Sequence, residues 1–360
     1  MLRFIRSYLE GRQQQVVIGG ISSSNLPVNS GVPQGSILGP LLFVLFINDM
    51  FSCISPGTNI SLYADDTKIW REIILSSDHF FLQSDINKLH LWSITNKMKF
   101  HPSKCKALAV TNQNNILYNL PTTIFQYKLH NTFIDYTLSH VDLGVTVSNK
   151  LSWTEQCNKL ASRANSRLGL VMRICHFTTD KKQKRAFYLT LVRSIFEHCS
   201  IIWHPVTSNQ LSYFENIQKK AVKWIDGQLY DHYSDNQYQQ KLKEYNILPM
   251  KFKFILTDLI LFYKIIHSLI SIKLPPEFYI PEANAVRHTR NTANIVDHRD
   301  RTTIRCSIRP NCDSFRNSFF LRTMNIWNKI PYNIRQVDKI SIFKTQILKL
   351  LWKADMDWPD

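Results

Sequence analysis

The sequence predicts an α+β fold, with short strands and helices before residue 150 and a largely helical chain after it. Before residue 150, β-prone runs are short and are separated by Gly, Pro, Asn and Ser. After Trp153, apolar residues recur at helical spacing over long segments with little strand signal between them. Apolar residues make up 44% of the 360 residues, which is typical of a globular protein with a hydrophobic core.

The first half is predicted to contain three helices. Leu2 to Leu9 forms a short amphipathic helix, and Ile37 to Ile47 forms an apolar helix that is buried on most sides. Asp78 to Lys97 forms the third helix, with Ser77 or Asp78 as its cap. The broad apolar face of that helix holds Phe81, Ile86, Leu89 and Trp92, with Phe80 at its margin.

Strands are predicted between these helices. Val16 to Ile18 and Lys106 to Thr111 are single β-prone runs, and Gln126 to Val147 contains three runs that suggest a small antiparallel sheet. Asn59 to Leu62 and Thr67 to Trp70 are predicted to form a hairpin with acidic residues at its tip.

The second half is predicted to be helical. Its helices are expected at Glu155–Cys175, Lys181–Cys199, Gln210–Ile225, Met250–Ile270, Arg316–Lys329 and Ser341–Lys353. These elements divide the chain into residues 1–150, 151–245 and 246–360.

Several classes of protein are excluded by the composition. No run of eighteen uncharged apolar residues occurs, so no membrane span is predicted. The N-terminus lacks the pattern of a secretory signal, and no glycine pattern of a Walker or Rossmann nucleotide site occurs. The seven cysteines include no C-x-x-C pair, which argues against a disulfide framework and favours a reducing compartment. Cys306, Cys312 and His298 can be imagined as metal ligands, but three unrelated residues is the simpler interpretation.

The charge is strongly basic. The chain has 44 Lys and Arg against 27 Asp and Glu, a formal net charge of +17. From Lys159 to Arg193 the basic residues are dense, and Asp180 is the single acid among them. A basic surface of this kind suits a polyanion such as nucleic acid, and a merely solvated basic face is the alternative.

The segment Tyr63-Ala64-Asp65-Asp66 places two carboxylates together at the tip of the predicted hairpin. Like charges so close repel each other, and a divalent cation relieves the repulsion. Oxygen ligands of this kind suit Mg²⁺ or Mn²⁺, and nucleotidyl transfer uses two such ions. Taken alone, the motif is better explained by a polar hairpin turn.

The segment Gly31-Val32-Pro33-Gln34-Gly35-Ser36 directly precedes the apolar helix. Its two glycines leave a surface poor in Cβ atoms at the start of a helix. The backbone and the Gln34 amide can contact a nucleotide or a base pair there. An ordinary Gly-Pro turn that enters a helix is the alternative.

Together and in this order, the two motifs resemble the reverse transcriptases of non-LTR retrotransposons of the jockey and CR1 kind. The resemblance includes Arg6-Ser7-Tyr8-Leu9-Glu10-Gly11-Arg12 and the apolar helix with its Asn48-Asp49 ending. Three later segments also match that family: LWSITNKMKFHPSKC from Leu91, HVDLGVTVSNKLSW from His140 and RNSFFLRTMNIWNKIP from Arg316. The resemblance therefore covers nearly the whole chain.

The resemblance implies a partial right-hand polymerase palm over residues 1–150, a helical thumb over 151–245 and a basic helical C-terminal region over 246–360. Asp65 and Asp66 become the catalytic, metal-binding pair. Lys104 matches the lysine that protonates or neutralises the leaving pyrophosphate, or is a surface lysine that begins a strand. Asp49 is expected to be structural because it ends the apolar helix.

The resemblance also implies contacts with nucleotide and nucleic acid. The nucleotide and template site is expected to be lined by Gly31, Pro33, Gln34, Gly35, Ser36, Tyr63 and Ala64. The primer grip is expected at Leu143 and Gly144. The nucleic-acid backbone is expected to contact Lys159, Arg163, Arg167, Lys181, Lys182, Lys184 and Arg185.

The chain departs from the family pattern in one respect that matters chemically. A two-metal site needs a carboxylate from a second strand, which the family supplies from an F-D motif upstream of the glycine motif. Here Glu10 is the only acid before Asp49, and it belongs to a different matched segment. The chain is therefore expected to begin after the first catalytic aspartate, to be inactive as a polymerase, and to leave strand edges and apolar surface uncovered.

The expected function is RNA-directed DNA synthesis by two-metal nucleotidyl transfer, with Mg²⁺ or Mn²⁺ as cofactor. The expected partners are an RNA template, a DNA primer and deoxynucleoside triphosphates, without a membrane. The alternative function is a non-catalytic RNA- or DNA-binding remnant. The expected location is intracellular, in the nucleus or the cytoplasm, and not secreted. Four tryptophans are candidates for stacking on bases, with core packing the simpler interpretation for the middle two: Trp203, Trp224, Trp327 and Trp352.

Overall fold

The computed structural model describes residues 1–111, 125–205, 207–228, 233–281, 302–310 and 312–353. Over these residues the chain divides into two units. The N-terminal unit comprises Met1–Ala109 and the described part of Gln113–Thr137. The C-terminal unit comprises the described parts of Val110–Asn112 and Leu138–Asp360. The three-part division into residues 1–150, 151–245 and 246–360 stays a prediction.

The helices predicted for the N-terminal unit are confirmed. They are α1 (Leu2–Leu9), α2 (Leu38–Ile47) and α3 (Ser76–Thr95), with 3₁₀ turns at Asn48–Cys53 and Pro102–Lys104. The strands are β1 (Gln13–Gln14), β2 (Val17–Ile18), β3 (Ile21–Ser22), β4 (Leu26–Pro27), β5 (Thr58–Tyr63), β6 (Asp66–Arg71), β7 (Lys106–Ala107), β8 (Lys128–Leu129), β9 (Thr132–Phe133) and β10 (Asp135–Tyr136). The predicted hairpin is confirmed, because β5 and β6 pair antiparallel along their whole length.

The prediction of one small sheet within Gln126–Val147 is wrong. Strand β8 pairs antiparallel with β9, and β10 pairs in parallel with β7. The next two strands, β11 (Ser139–Asp142) and β12 (Val145–Ser148), pair with each other and belong to the C-terminal unit. His130, with φ of +54°, allows a tight turn directly after β8. The short strands of this segment therefore form separate two-stranded pairs instead of one wider sheet. The strand predicted over Lys106 to Thr111 is likewise limited to Lys106–Ala107.

Helix α2 is not buried on most sides, contrary to the prediction. Only Gly39 and Ile47 are buried in it. Ile47 and Phe43 pack into a small core around Met50, Leu89 and Trp92. The other side of the helix is open over the described residues, and the exposed side chains there are Leu41, Val44, Leu45 and Phe46. Uniform hydrophobicity predicts that a helix needs cover, but it does not reveal which faces receive it.

Helix α3 buries Ile86, Leu89 and Trp92 as predicted. Phe81 and Phe80 do not join that face, because they are 50% and 65% exposed in the first turns of the helix. Neither predicted cap residue is the N-cap, since that position is Leu75. The Asp78 carboxylate instead accepts the backbone N–H groups of Leu75 and Ile74 at 2.9 and 3.1 Å, and these bonds lower the pKa of Asp78.

The C-terminal unit is mainly helical, as predicted. Its helices are α4 (Thr154–Ile174), α5 (Lys181–Phe187), α6 (Ser194–Glu197), α7 (Ser200–Trp203), α8 (Ser208–Asp226), α9 (Asp235–Glu244), α10 (Met250–Ile266), α11 (Asp313–Arg316), α12 (Phe319–Trp327), α13 (Tyr332–Arg335) and α14 (Ile340–Trp352). The last strands, β13 (Phe278–Tyr279) and β14 (Arg305–Cys306), form an antiparallel pair. Helix α9 was not predicted because its only buried side chains are Tyr238 and Leu242, which is too weak an apolar pattern to mark a helix.

A π-helical turn at Tyr188–Arg193 joins α5 to α6. Its hydrogen bonds span one residue more than those of an α-helix. Tyr188, Val192 and Arg193 are buried in the turn, and Phe196 is buried directly after it. The Tyr188 hydroxyl donates to Oε1 of Gln218 at 3.0 Å, which fixes the turn against α8.

Two apolar clusters form the core of the C-terminal unit. The first contains the buried rings of Phe196, Trp203 and Phe214. The second contains Phe262 and Trp327, whose rings are 5.4 Å apart, and it is built mainly by α10, α12 and α14. This core is much larger than the one in the N-terminal unit. None of the described helices combines the length and apolar character needed to cross a bilayer.

Candidate functional site

The two adjacent aspartates lie at the tip of the β5–β6 hairpin. Tyr63 pairs with Asp66, so Ala64 and Asp65 form a two-residue turn. Ala64 has φ of +50°, a conformation in which an L side chain is strained. Asp65 and Asp66 are both exposed. The hairpin therefore presents two carboxylates to a ligand in one short, sharply bent segment.

The opposite face of the hairpin fixes its position. Ile60, Leu62 and Ile69 pack against the core around Met50 and Trp92. Because side chains alternate along a strand, Tyr63 and Asp66 point to the other face. The apolar residues thus hold the hairpin while the acidic tip stays open.

Arg71 stabilises the end of the hairpin that lies opposite the acidic tip, and the sequence analysis did not predict this role. Its guanidinium donates to the carbonyl of Pro56 and the hydroxyl of Thr58, each at 3.1 Å. It also forms an ion pair with Asp78 at 3.1 Å, which ties the hairpin to α3. Side chains alternate along β6, so Arg71 lies on the same face as Ile69, which packs against the core. A cation at an inward-facing position of a strand is the sequence signal that could have identified this role.

Asp49 has the structural position that the sequence predicts. Its Oδ1 accepts the indole N–H of Trp92 at 2.9 Å. This bond satisfies the polar atom of a largely buried ring and joins the 3₁₀ turn to α3.

The glycine-rich loop before α2 is held from two sides. Gly31 and Gly35 have φ of +75° and +77°, and no atom lies within 4 Å of where a Cβ would sit. They are therefore required for backbone conformation and not for space. Arg12 donates to the Gly31 carbonyl at 2.6 Å, and Tyr8 donates to the Ser36 hydroxyl at 2.5 Å.

Ser36 stabilises the first turn of α2. Its hydroxyl donates to the Pro33 carbonyl at 2.9 Å and accepts the Gly39 N–H at 3.0 Å. Gly39 was not identified from sequence, although a Cβ there would lie 2.7 Å from the Pro33 carbonyl oxygen. The Gln34 side chain is exposed beside this frame. The predicted contacts of the loop with nucleotide and template stay predictions.

Lys104 ends the 3₁₀ turn Pro102–Lys104, just before β7, and it is exposed. The hairpin and this turn belong to the same unit. Its predicted role toward pyrophosphate stays a prediction.

The predicted primer grip forms the turn between β11 and β12. Asp142 pairs with Val145, and Leu143 and Gly144 between them have φ of +48° and +82°. Two successive positive φ values are the pattern of a type I′ hairpin turn. Leu143 is 48% exposed, so an apolar side chain projects from the tip.

The predicted contacts to the nucleic-acid backbone fall into two groups. In the first group, the cation is used inside the unit. Lys181 pairs with Asp226 at 2.8 Å, and Lys184 donates to the Trp224 carbonyl at 3.2 Å. Arg185 donates to the carbonyls of Tyr245 and Asn246 at 2.5 and 3.1 Å.

Asp226 organises part of this group. Besides Lys181, it accepts from Lys241 at 3.2 Å, from Tyr233 at 2.6 Å and from Tyr245. Burial alone raises the pKa of Asp226, but these hydrogen bonds outweigh it and the net pKa lies below its usual range. The hydrogen bond to Asp226 in turn raises the pKa of Lys181. The dense basic run is thus partly an internal ion-pair network.

The second group stays on the surface. Lys159, Arg163 and Arg167 are exposed and recur every four residues along α4, so they share one face. Lys159 pairs with Glu155 at 2.7 Å in the first turns of the helix. Lys182 is also exposed, at the start of α5. Lys159, Arg163 and Arg167 form a basic stripe of α4 that a polyanion can reach.

The tryptophans offer little stacking surface. Core packing, the simpler interpretation for Trp224 and Trp327, is confirmed because both side chains are buried. Trp203 is buried as well. Trp352 is partly buried and packs against both apolar clusters.

The candidate metal ligands from the sequence are the two hairpin carboxylates, Asp65 and Asp66. Among the described residues, no group of three or more His, Cys, Asp or Glu side chains is placed to hold a metal ion. His298, one of the three residues imagined as metal ligands, lies outside the described residues. Two adjacent carboxylates fit part of a divalent-cation site and do not by themselves complete one.

Comparison with known proteins matches the part of the chain that contains the glycine-rich loop, the acidic hairpin and α4. Residues 2–189 match the family model for reverse transcriptase (RNA-dependent DNA polymerase). The chain is 22% identical over 237 residues to the RNA-directed DNA polymerase from mobile element jockey of Drosophila melanogaster, covering 62% of this chain and 25% of that protein. It is 25% identical over 182 residues to the jockey polymerase of Drosophila funebris, covering 47% and 18%.

A third relative is the RNA-directed DNA polymerase assigned to transposon BS of Drosophila melanogaster. It is 24% identical over 230 residues, covering 61% of this chain and 25% of that protein. The chain thus spans about a quarter or less of the length of these curated relatives. No solved structure matches it.

Proposed function

Because the chain belongs to the reverse transcriptase (RNA-dependent DNA polymerase) family and is similar to polymerases of non-LTR retrotransposons, we propose that it carries the metal-binding hairpin and the primer-binding surface of RNA-directed DNA synthesis. The observation that supports this most directly is the paired hairpin with Asp65 and Asp66 exposed at its tip. In this proposal the N-terminal unit contains part of a polymerase palm, and the helices of the C-terminal unit form the thumb and a basic C-terminal region.

The residues have separate tasks in the proposed reaction. Asp65 and Asp66 hold divalent ions, with Asp65 as the more direct ligand. Mg²⁺ or Mn²⁺ bound there supplies activation of the attacking primer oxygen and charge neutralisation of the leaving pyrophosphate. Lys104 supplies positive charge, or a proton, to that leaving group. Gln34 and the backbone of Gly31 to Ser36 contact the nucleotide and its template base.

We further propose that this chain alone does not sustain the reaction. Two ions held for in-line transfer need a carboxylate that faces the hairpin from another strand, and the described residues offer no third ligand near Asp65 and Asp66. Loss of one essential member of a catalytic group costs several orders of magnitude in rate. The chain would then bind a primer–template hybrid and require a complementing carboxylate to extend the primer.

Primer extension by the full chain tests both parts. An RNA template with a labelled DNA primer, deoxynucleoside triphosphates and Mg²⁺ or Mn²⁺ is incubated with the chain, and hybrid binding is measured in parallel by fluorescence anisotropy. We expect binding without incorporation. Steady incorporation that Asp65→Asn abolishes would overturn the proposed inactivity and support the catalytic site.

Metal binding gives a second test that does not depend on turnover. The electron paramagnetic resonance signal of free Mn²⁺ should fall when the chain is added, and this effect should be lost in Asp65→Asn. Asp135→Asn is the matched control, because Asp135 is an exposed carboxylate at another strand, paired with Lys106. Equal loss in both variants would contradict a specific role for the hairpin.

The second candidate function is non-catalytic binding of RNA or DNA through the basic stripe of α4. The exposed Arg163 and Arg167 favour it, since they need no metal site. For a binder of this kind, Asp65→Asn leaves both hybrid affinity and its Mn²⁺ dependence unchanged. For the proposed polymerase fragment, Mn²⁺ strengthens hybrid binding and Asp65→Asn removes that gain.

A further inference from the structure

Strand β12 joins the β11–β12 hairpin to the core directly beside its turn. Val145 is 3% exposed and belongs to the larger core of the C-terminal unit. The Thr146 N–H donates to Oε1 of Gln156 at 2.9 Å, which joins β12 to α4. The turn residues Leu143 and Gly144 directly precede these anchors, and Leu143 is 48% exposed.

His198 provides a contact to that tip. Its Nε2 lies 3.4 Å from the carbonyl oxygen of Leu143. A Cβ added to Gly144 would lie 3.5 Å from the same Nε2. The imidazole therefore reaches both residues of the turn, although it is 55 positions away in sequence.

The backbone of His198 is mounted on the core. Its carbonyl accepts the indole N–H of Trp203 at 2.8 Å, and Trp203 is fully buried. Cys199, the next residue, has φ of +52°, a left-handed conformation that reverses the chain between α6 and α7. An L residue persists in this conformation only where its surroundings impose it. The backbone of His198 is therefore held firmly against the core, although its imidazole ring is exposed.

The hydrogen-bonding chemistry favours an Nε2–H group that donates to the Leu143 carbonyl. The Leu143 carbonyl oxygen can only accept. The Cys199 sulfur also lies 3.4 Å from Nε2, but sulfur is the weaker acceptor of the two. An Nε2–H group therefore points toward the hairpin tip.

We propose that His198 is a positioning residue that holds the Leu143–Gly144 turn where it meets the end of a primer–template duplex. This inference rests on the proposed function, because it takes the turn to be a nucleic-acid contact. Gly144 has no side chain, so a sugar–phosphate backbone can approach its main chain closely. The exposed Leu143 side chain can pack against a sugar beside it. His198 touches neither group and acts by keeping both in place.

Substitution of His198 in the full chain tests the proposal with two measurements. The first is backbone hydrogen exchange in a peptide spanning the tip, and the second is the dissociation constant for an RNA template carrying a recessed DNA primer. His198→Ala should speed exchange at the tip and weaken hybrid binding, each by about fivefold, the scale of one hydrogen bond. His198→Gln should restore both, because the Gln amide can place an N–H group close to the position of Nε2.

His176→Ala is the matched control. His176 is also exposed in the C-terminal unit, but its Nδ1 lies 2.9 Å from the carbonyl of Arg173, at the end of α4. Both measurements should stay unchanged in this variant. The loss in His198→Ala should also be larger for the primed template than for the same RNA without primer, which a general loss of stability would not produce.

Three results would overturn the proposal. Unchanged exchange in His198→Ala would show that the imidazole does not support the tip. Faster exchange with unchanged hybrid affinity would show that the tip is not part of the nucleic-acid contact. A wild-type chain that binds no hybrid would refute the proposed function itself, and the positioning role with it, while the exchange data would still report the support on its own.

Discussion

Asp226→Asn is expected to destabilise the C-terminal unit by about 2–3 kcal/mol. The Asp226 side chain is 4% exposed, and it accepts hydrogen bonds from Lys181, Lys241, Tyr233 and Tyr245. Lys181 lies on α5 and Lys241 on α9, while Tyr233 lies shortly before α9 and Tyr245 directly after it. One carboxylate at the end of α8 therefore links α5 and α9 to α8.

The magnitude follows from the exposure of the partners. Breaking a fully buried ion pair costs about 3–5 kcal/mol, whereas an exposed pair contributes about 0.2–1 kcal/mol. The side chains of Lys181 and Lys241 are 49% and 28% exposed, so water partly solvates them after the substitution. The two tyrosine hydroxyls lose a charged acceptor. The expected loss of unfolding free energy therefore lies between the values for a buried and an exposed pair. It corresponds to a fall in Tm of roughly 5–10 °C for a unit of this size.

Thermal unfolding of the full chain, followed by tryptophan fluorescence and circular dichroism, measures the effect. The matched control is Asp235→Asn, because Asp235 is 91% exposed and pairs with Lys219 at 3.1 Å. That control should cost less than about 0.5 kcal/mol. Equal losses in the two variants, or a loss below about 0.5 kcal/mol for Asp226→Asn, would refute the assigned network.

The pH dependence of the same substitution gives an independent check. The pKa of Asp226 is lower in the folded chain than its ordinary value of 3.8. Its contribution is therefore complete above the unfolded pKa and is lost as pH falls toward the folded value. The difference in unfolding free energy between wild type and Asp226→Asn should be constant from about pH 7 to 5 and should narrow below about pH 4. Urea denaturation across that range measures it, and a difference that widens in acid would contradict the sign.

Three further predictions concern the other contacts. Asp49→Ala should cost the N-terminal unit about 1–2 kcal/mol in urea denaturation, because the Trp92 indole loses its acceptor, whereas Asp49→Asn keeps one and should cost less. Ala64→Val should destabilise the hairpin by about 1–2 kcal/mol, since a branched residue is strained at positive φ, and Ala64→Gly should not; hydrogen exchange of the hairpin amides distinguishes them. Replacing Arg163 and Arg167 together with Gln should reduce the slope of log affinity against log salt by about 2 without moving Tm. An unchanged slope would remove the basic stripe from the nucleic-acid interface.

The hairpin was predictable from sequence because several independent sequence signals indicate the same structure. Alternation of Ile60 and Leu62 with polar residues, a short turn and a matching second strand all favour the same register. The helices α4, α8 and α10 were predictable for a similar reason, since their buried residues repeat at helical spacing.

Other features were outside the reach of local patterns. Lys184 and Arg185 look like surface cations in sequence, yet they donate to carbonyls of residues 40 and 60 positions away. The exposure of α2 depends on which elements lie near it, not on its own composition. The link between His198 and Leu143 likewise exists only in three dimensions. Sequence therefore predicted the acidic tip, whose role as a metal site stays a prediction, while the supports of the site required the fold.

The π-helical turn at Tyr188–Arg193 lets the length of this helix vary by one residue. The wide turn holds one residue more than an ordinary helical turn, so it absorbs that residue locally. If one codon were deleted inside it, the turn would shorten to an ordinary helical one, and Phe196 and His198 would keep their places. In an alignment of related sequences, a single-residue gap here would therefore mark copies that lack the wide turn while the elements on either side still superpose.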